Sequence, residues 1–89
     1  MTNPIMRKIT VTADWQPLSD VSLVLSECEV NCAIDNSGNV LFRTTGETGI
    51  EVPWEPSEYH RFRSLDLATI EVKGTADDIV TIVGQAGGV

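Results

Sequence analysis

The sequence holds a single histidine, His60, between Tyr59 and Arg61. A histidine base needs an orienting carboxylate and a reacting partner within hydrogen-bond reach. If residues 59–62 are extended, alternation turns His60 away from Tyr59 and Arg61 and leaves it at a strand surface. Serines are frequent, but no G-x-S-x-G elbow occurs, so a Ser–His–Asp triad would have to assemble in space around this one ring. The expectation is therefore no catalytic residue and a protein that is not an enzyme. "DNSGN" (35–39) looks like the start of a calcium loop, but the twelfth position from Asp35 is Gly46 where a bidentate Glu is required. A turn explains it better, with Gly38 supplying a positive φ.

Cys28 and Cys32 sit in "ECEVNC". On an extended strand, residues four apart lie about 13 Å apart on the same face, too far for a disulfide. A looped segment would bring them together. A four-ligand zinc site would need His or Cys partners that the chain lacks. The start "MTNPIMRK" has no apolar leader, which implies synthesis in a reducing cytoplasm and two small apolar thiols. No metal and no cofactor are expected.

Trp15 and Trp54 both lie in proline-bearing segments, "DWQPLSD" and "PWEP". Each Trp could plug one end of a core, anchor an interface, or stack on a sugar. These readings stay open from the residues alone.

The elements that must position these side chains are strands. Val, Ile and Thr are stiff at χ1 and suit a pleated surface. Gly, Asn, Asp and Ser clusters recur at short intervals, the pattern of short strands joined by turns. "KITVTA" (8–13), "VSLVL" (21–25), two strands around "DNSGN", Ile50–Val52, and Tyr59–Phe62 read as strands, with a 3₁₀ turn over 64–68. Ile70–Lys73 and Ile79–Val83 read as a hairpin closed by "GTADD". The expected fold is all-β: a small antiparallel β-sandwich or barrel, jelly-roll-like, of seven or eight short strands. Residues 1–7 read as an N-terminal arm, 8–84 as the domain, and 85–89 as a flexible tail. No internal repeat is visible.

The 89 residues carry a net charge of −7, with six Lys and Arg scattered along the chain. That speaks against nucleic acid as a partner, since phosphate binding needs a basic face. No apolar stretch approaches the ~18 residues that span a bilayer. A domain this small is marginal alone and gains from partner subunits.

The stretch "EVPWEPSEYHRFRSLDLATIEVKGTADDIVTIVG", roughly residues 50–84, resembles small β proteins of tailed-bacteriophage heads, described as cement, decoration or head-fibre proteins. The resemblance implies a virion structural protein on the outer capsid surface. Such a protein, made in the host cytoplasm, ties neighbouring major capsid subunits together, commonly as a homotrimer. On that reading the capsid or subunit interface would use Arg7 and Lys8 as charged anchors and Trp15, Trp54 and Tyr59 as aromatic ones. The alternative is a carbohydrate-binding or host-attachment module of a phage particle, with Trp15, Trp54 and Tyr59 as a stacking platform.

Overall fold

The computed structural model describes residues 3–86. They form β1 (Asn3–Thr10), β2 (Gln16–Pro17), β3 (Val24–Cys32), β4 (Val40–Thr44), β5 (Val52–Trp54), β6 (Tyr59–Asp66), a 3₁₀ turn (Leu67–Thr69), β7 (Ile70–Lys73) and β8 (Ile79–Ala86). Two four-stranded antiparallel sheets result, one ordered β1-β8-β3-β6 and the other β2-β7-β4-β5. That strand order is the jelly-roll form of a β-sandwich. The inward side chains of both sheets meet in one core: Val11, Leu25, Val30, Val40, Leu67, Val72, Val80 and Ile82 are wholly buried. Each such side chain contributes about 1.5–3 kcal/mol of burial.

Apolar alternation is correct for β7 and β8, but the hairpin is not. β7 pairs with β2 and β4, whereas β8 pairs with β1 and β3 in the opposite sheet. Residues 74–78 are an arch between sheets, held to the chain after β1: Gly74 N–H donates to Thr12 O (2.9 Å), Asp77 N–H to Val11 O (3.1 Å), and Val11 N–H to Asp78 O (2.7 Å). The strands around "DNSGN" likewise belong to different sheets. A period of two says which face is buried; it does not say whether the next strand lies beside or across. Among the described residues, β4 and β5 are the consecutive strands that do pair as neighbours. Their loop contains Gly46 at φ 86° and Gly49 at φ 79°, the left-handed glycines among the described residues, while Gly38 is not one of them.

Residues 3–7, expected as an arm, are instead the first part of β1 and pair with β8 from Asn3↔Ala86 to Arg7↔Ile82. β1 is an edge strand, where Pro4 is tolerated. Gln85 and Ala86 likewise belong to β8. Residues 1–2 and 87–89 lie outside the described residues. Val21 and Leu23 precede the strand expected there, and β3 instead runs through "ECEVNC". Ser26 is a one-residue bulge: Leu25 and Glu27 face Ala86 and Gln85, consecutive residues of β8. The bulge switches parity, so that Leu25 and Cys28 both point inward. Ser64 takes φ 51° in β6 across from this bulge, kinking the neighbouring edge.

Candidate interaction surfaces

His60 does have a carboxylate beside it. Its Nε2 lies 2.7 Å from Glu58 Oε2, and its ring meets Trp54 edge-on at 4.6 Å. The pair is half-exposed on β6. Glu58 also accepts from Glu55 N–H (2.9 Å). The His60 contact, then the Glu55 amide, hold the Glu58 carboxyl below its ordinary range. This arrangement fastens the corner 55–60 against Trp54.

Cys28 and Cys32 are free, buried and on the inward face of β3. Burial first, then the Glu58 and Asp78 carboxylates, push the Cys32 thiol up to about 11. Burial alone raises Cys28. A thiol so protonated is a poor nucleophile. Among the described residues, no three His, Cys, Asp or Glu side chains are grouped to hold a metal.

"DNSGN" locks onto the arch. Asp78 Oδ1 accepts from Ser37 N–H (2.9 Å) and Ser37 Oγ (3.0 Å), and its Oδ2 from Gly38 N–H (3.3 Å). The Asn36 amide brackets Ile79, accepting from its N–H (2.8 Å) and donating to its carbonyl (3.0 Å). Asp78 is the buried carboxylate of the core, and all its work is structural.

The five expected interface residues scatter. Trp54 is buried, stacked on Phe42 at 3.7 Å and parallel to Phe62 at 6.5 Å. It plugs the core and offers no surface, because β5 turns its indole inward opposite Val40. Trp15 lies on the outer side of the second sheet beneath two cations, Arg43 at 4.0 Å and Lys73 at 5.1 Å from the ring centroid. Arg43 is fixed there by Glu71 (2.9 Å). Arg7 sits at the open edge beside Met6, whose carbonyl it caps (3.3 Å). Lys8 and Tyr59 do share a surface: Lys8, Thr81, Asn31 and Tyr59 form one row across the first sheet. Trp15, Trp54 and Tyr59 therefore form no common stacking plane.

That outward face of the first sheet holds what the sequence reading missed. Its next row is Met6, Val83, Glu29 and Arg61, and the one after is Pro4, Gln85, Glu27 and Arg63. Met6, Val83 and Tyr59 are exposed on it. Arg61 reaches Glu29 at 3.3 Å and Arg63 reaches Glu27 at 3.8 Å, loosely, with the two arginines 83% and 87% exposed. The i, i+2 spacing of Glu27/Glu29 and of Arg61/Arg63 was the available signal, since opposite charges on facing strands pair.

Charge is partitioned between strands and loops. The strands of the first sheet carry Arg7, Lys8, Arg61 and Arg63 against Glu27, Glu29 and Asp66, a net +1. The strands of the second sheet carry Arg43 and Lys73 against Glu71, also a net +1, and the other nine carboxylates all lie in loops, a net −9. One end of the sandwich gathers the loops 11–15, 33–39, 55–58 and 74–78, with Asp14, Asp35, Glu55, Glu58, Asp77 and Asp78 and no Lys or Arg.

No protein-family model and no curated protein matches the chain. Solved structures similar to it include a de novo designed double-stranded β-helix, with 15% identity and TM-score 0.48 over 94% of this chain and 99% of that one. Another comes from work on Bacillus endospore appendages that form disulfide-linked pili (17%, 0.49, 98% and 88%). A third is the capsular polysaccharide assembling protein CapF from Staphylococcus aureus (14%, 0.45), in which this chain covers 96% of itself and 24% of CapF.

Proposed function

We propose that this chain is a non-enzymatic structural module of a tailed-phage particle. In this reading it sits on the outer capsid surface as a homotrimer and ties neighbouring major capsid subunits together. The observation that carries the reading is the partition of charge. A loop end with five exposed or half-exposed carboxylates, Asp78 buried beneath them, and no Lys or Arg presents a negative surface to a basic shell. The opposite-signed face of the first sheet is left for neighbouring copies. The residues behind the resemblance support it as scaffold: the proline–tryptophan corner is β5, "FRSLDL" is the kinked half of β6 and the turn after it, and "IEVKGT" with "IVTIVG" builds β7, the arch and β8. Modest contacts suffice in such a role, because several subunits acting together raise avidity by ~10²–10⁴.

The test is co-sedimentation of the purified chain with empty shells built from the major capsid protein of the same phage. Saturable binding that weakens as salt rises is the expected result. Neutralising Asp35, Glu55 and Asp77 to Asn, Gln and Asn should lower occupancy without changing the melting temperature. Shells that ignore the protein at low salt would end this reading.

A further inference from the structure

We infer that the outward face of the first sheet receives the β4–β5 loop of a second copy of this chain. The inference rests on the self-association within the proposed function and not on the identity of the shell. The two surfaces match in chemistry. The first is an exposed apolar pair, Met6 beside Val83, on the β1–β8 side of a sheet whose strands carry a net +1, with Tyr59 exposed at the opposite edge on β6. Arg61 and Arg63 stand on β6 with Tyr59, across β3 from that pair, only loosely engaged by Glu29 and Glu27. Exposed pairs of this kind contribute little, so the guanidinium groups can re-pair with an incoming carboxylate.

The second surface is Ile50 and Val52, 62% and 52% exposed, with Glu51 between them and Glu47 three residues before Ile50. Residues 44–58 contain four glutamates and no Lys or Arg. Met6 and Val83 meet Ile50 and Val52, and Arg61 and Arg63 meet Glu47 and Glu51. A symmetric contact between the acidic parts of two copies would set like charges together, because everything outside the first sheet carries −8.

Direct pairing of sheet edges is disfavoured by the edges themselves. β1 carries Pro4, Arg7 and Lys8, and β6 carries Arg61, Arg63 and the left-handed Ser64. The contact is therefore face to loop. It is also head to tail, because the two surfaces differ. A head-to-tail contact leaves one surface of each kind unsatisfied until a ring closes. A threefold ring is the closed form that the proposed function uses.

Charge exchange tests it. Two variants, Arg61→Glu/Arg63→Glu and Glu47→Lys/Glu51→Lys, are studied by sedimentation velocity at low and high salt, with thermal melts to confirm folding. The parent chain is expected to self-associate at low salt and to dissociate by at least tenfold in Kd at high salt. Each variant alone is expected to be monomeric. Mixed in equal amounts they should associate again, as complementary pairs and open chains and not as closed trimers, because two alternating variants cannot satisfy a ring of three. Ile50→Lys, on an exposed side chain, should also give a monomer. A parent that stays monomeric at millimolar concentration in low salt would overturn the inference. So would variants that assemble alone, or a mixture no larger than its components. A chain that assembles in solution but ignores capsid shells removes the shell reading and leaves this one standing.

Discussion

Gly84 offers the sharpest test of the packing described above. It lies on β8, between β1 and β3, opposite Ile5 on one side and Cys28 on the other. A Cβ added there would be closest to the Glu27 carbonyl oxygen, with the Cys28 Cβ at 2.6 Å and Cα at 2.9 Å. Ordinary carbon–carbon contact is about 3.5–4.0 Å, so β3 and β8 must part by roughly 1 Å. The atoms in the way are backbone and Cβ of a central strand and cannot rotate aside. Ladder hydrogen bonds near 2.9 Å would be stretched to their limit. Overpacking of this kind costs about 1–3 kcal/mol, and each weakened ladder bond about 1 more. A loss of about 3 kcal/mol is a large share of the ~5–15 kcal/mol a domain has. At 4–8 °C per kcal/mol, Gly84→Ala should lower Tm by about 12–24 °C. Gly46→Ala is the control: its Cβ meets nothing within 4 Å, but its φ of 86° strains any side chain by about 1–2 kcal/mol. Calorimetry of the two variants decides. A Gly84→Ala protein melting within about 4 °C of the parent, or no lower than Gly46→Ala, would refute the reasoning.

Other expectations concern single groups. Trp54→Ala should cost about 3–5 kcal/mol in denaturant unfolding, whereas Trp15→Ala, which loses mainly its cation contacts, should cost nearer 1 kcal/mol. Asp66 accepts from Ser22 Oγ (2.7 Å), Leu23 N–H (3.0 Å) and Ala68 N–H (3.0 Å), and these bonds, the Ser22 one foremost, lower its pKa. A lowered folded-state pKa contributes stability above the unfolded carboxylate range, and the contribution disappears as pH falls through the folded value. Asp66→Asn should therefore be less stable than the parent at neutral pH, with the gap closing below about pH 4; melts across that range check it. At pH 8, Cys28 and Cys32 should resist iodoacetamide in the native protein and alkylate once it is unfolded in denaturant, as read by intact mass.

Strand positions were readable because burial leaves a mark in residue type. Ile70–Lys73 and Ile79–Val83 alternate cleanly and are strands. Their partners were not readable, because the arch at 74–78 depends on hydrogen bonds to Val11 and Thr12, far away in sequence. β3 was hidden by its bulge. Ser26 breaks the two-residue period between Leu25 and Cys28, and "ECEVNC" then places glutamates on a strand, where a propensity reading expects few. The Pro4 arm failed for a related reason: a proline excluded from a central strand is acceptable at an edge. Of the expected interface residues, type alone could not separate Trp54, turned inward onto Phe42, from Trp15, turned outward under Arg43. Both are tryptophans beside prolines, and the strand that carries each one decides which way it points.

The last strand, β8, lies in the interior of its sheet, flanked by the first strand and by β3. During synthesis β1 has no neighbour to zip against until Ala86 has cleared the ribosomal tunnel. The nascent chain must therefore wait with Val30, Cys28 and the Met6 edge uncovered, a window in which chaperones or sister chains can capture it. Removing residues 79–86 would take out an interior strand of the sheet and leave β1 without its ladder partner. Abundance in the cell should thus depend on how quickly residues 79–86 emerge behind the rest as much as on the depth of the final energy well.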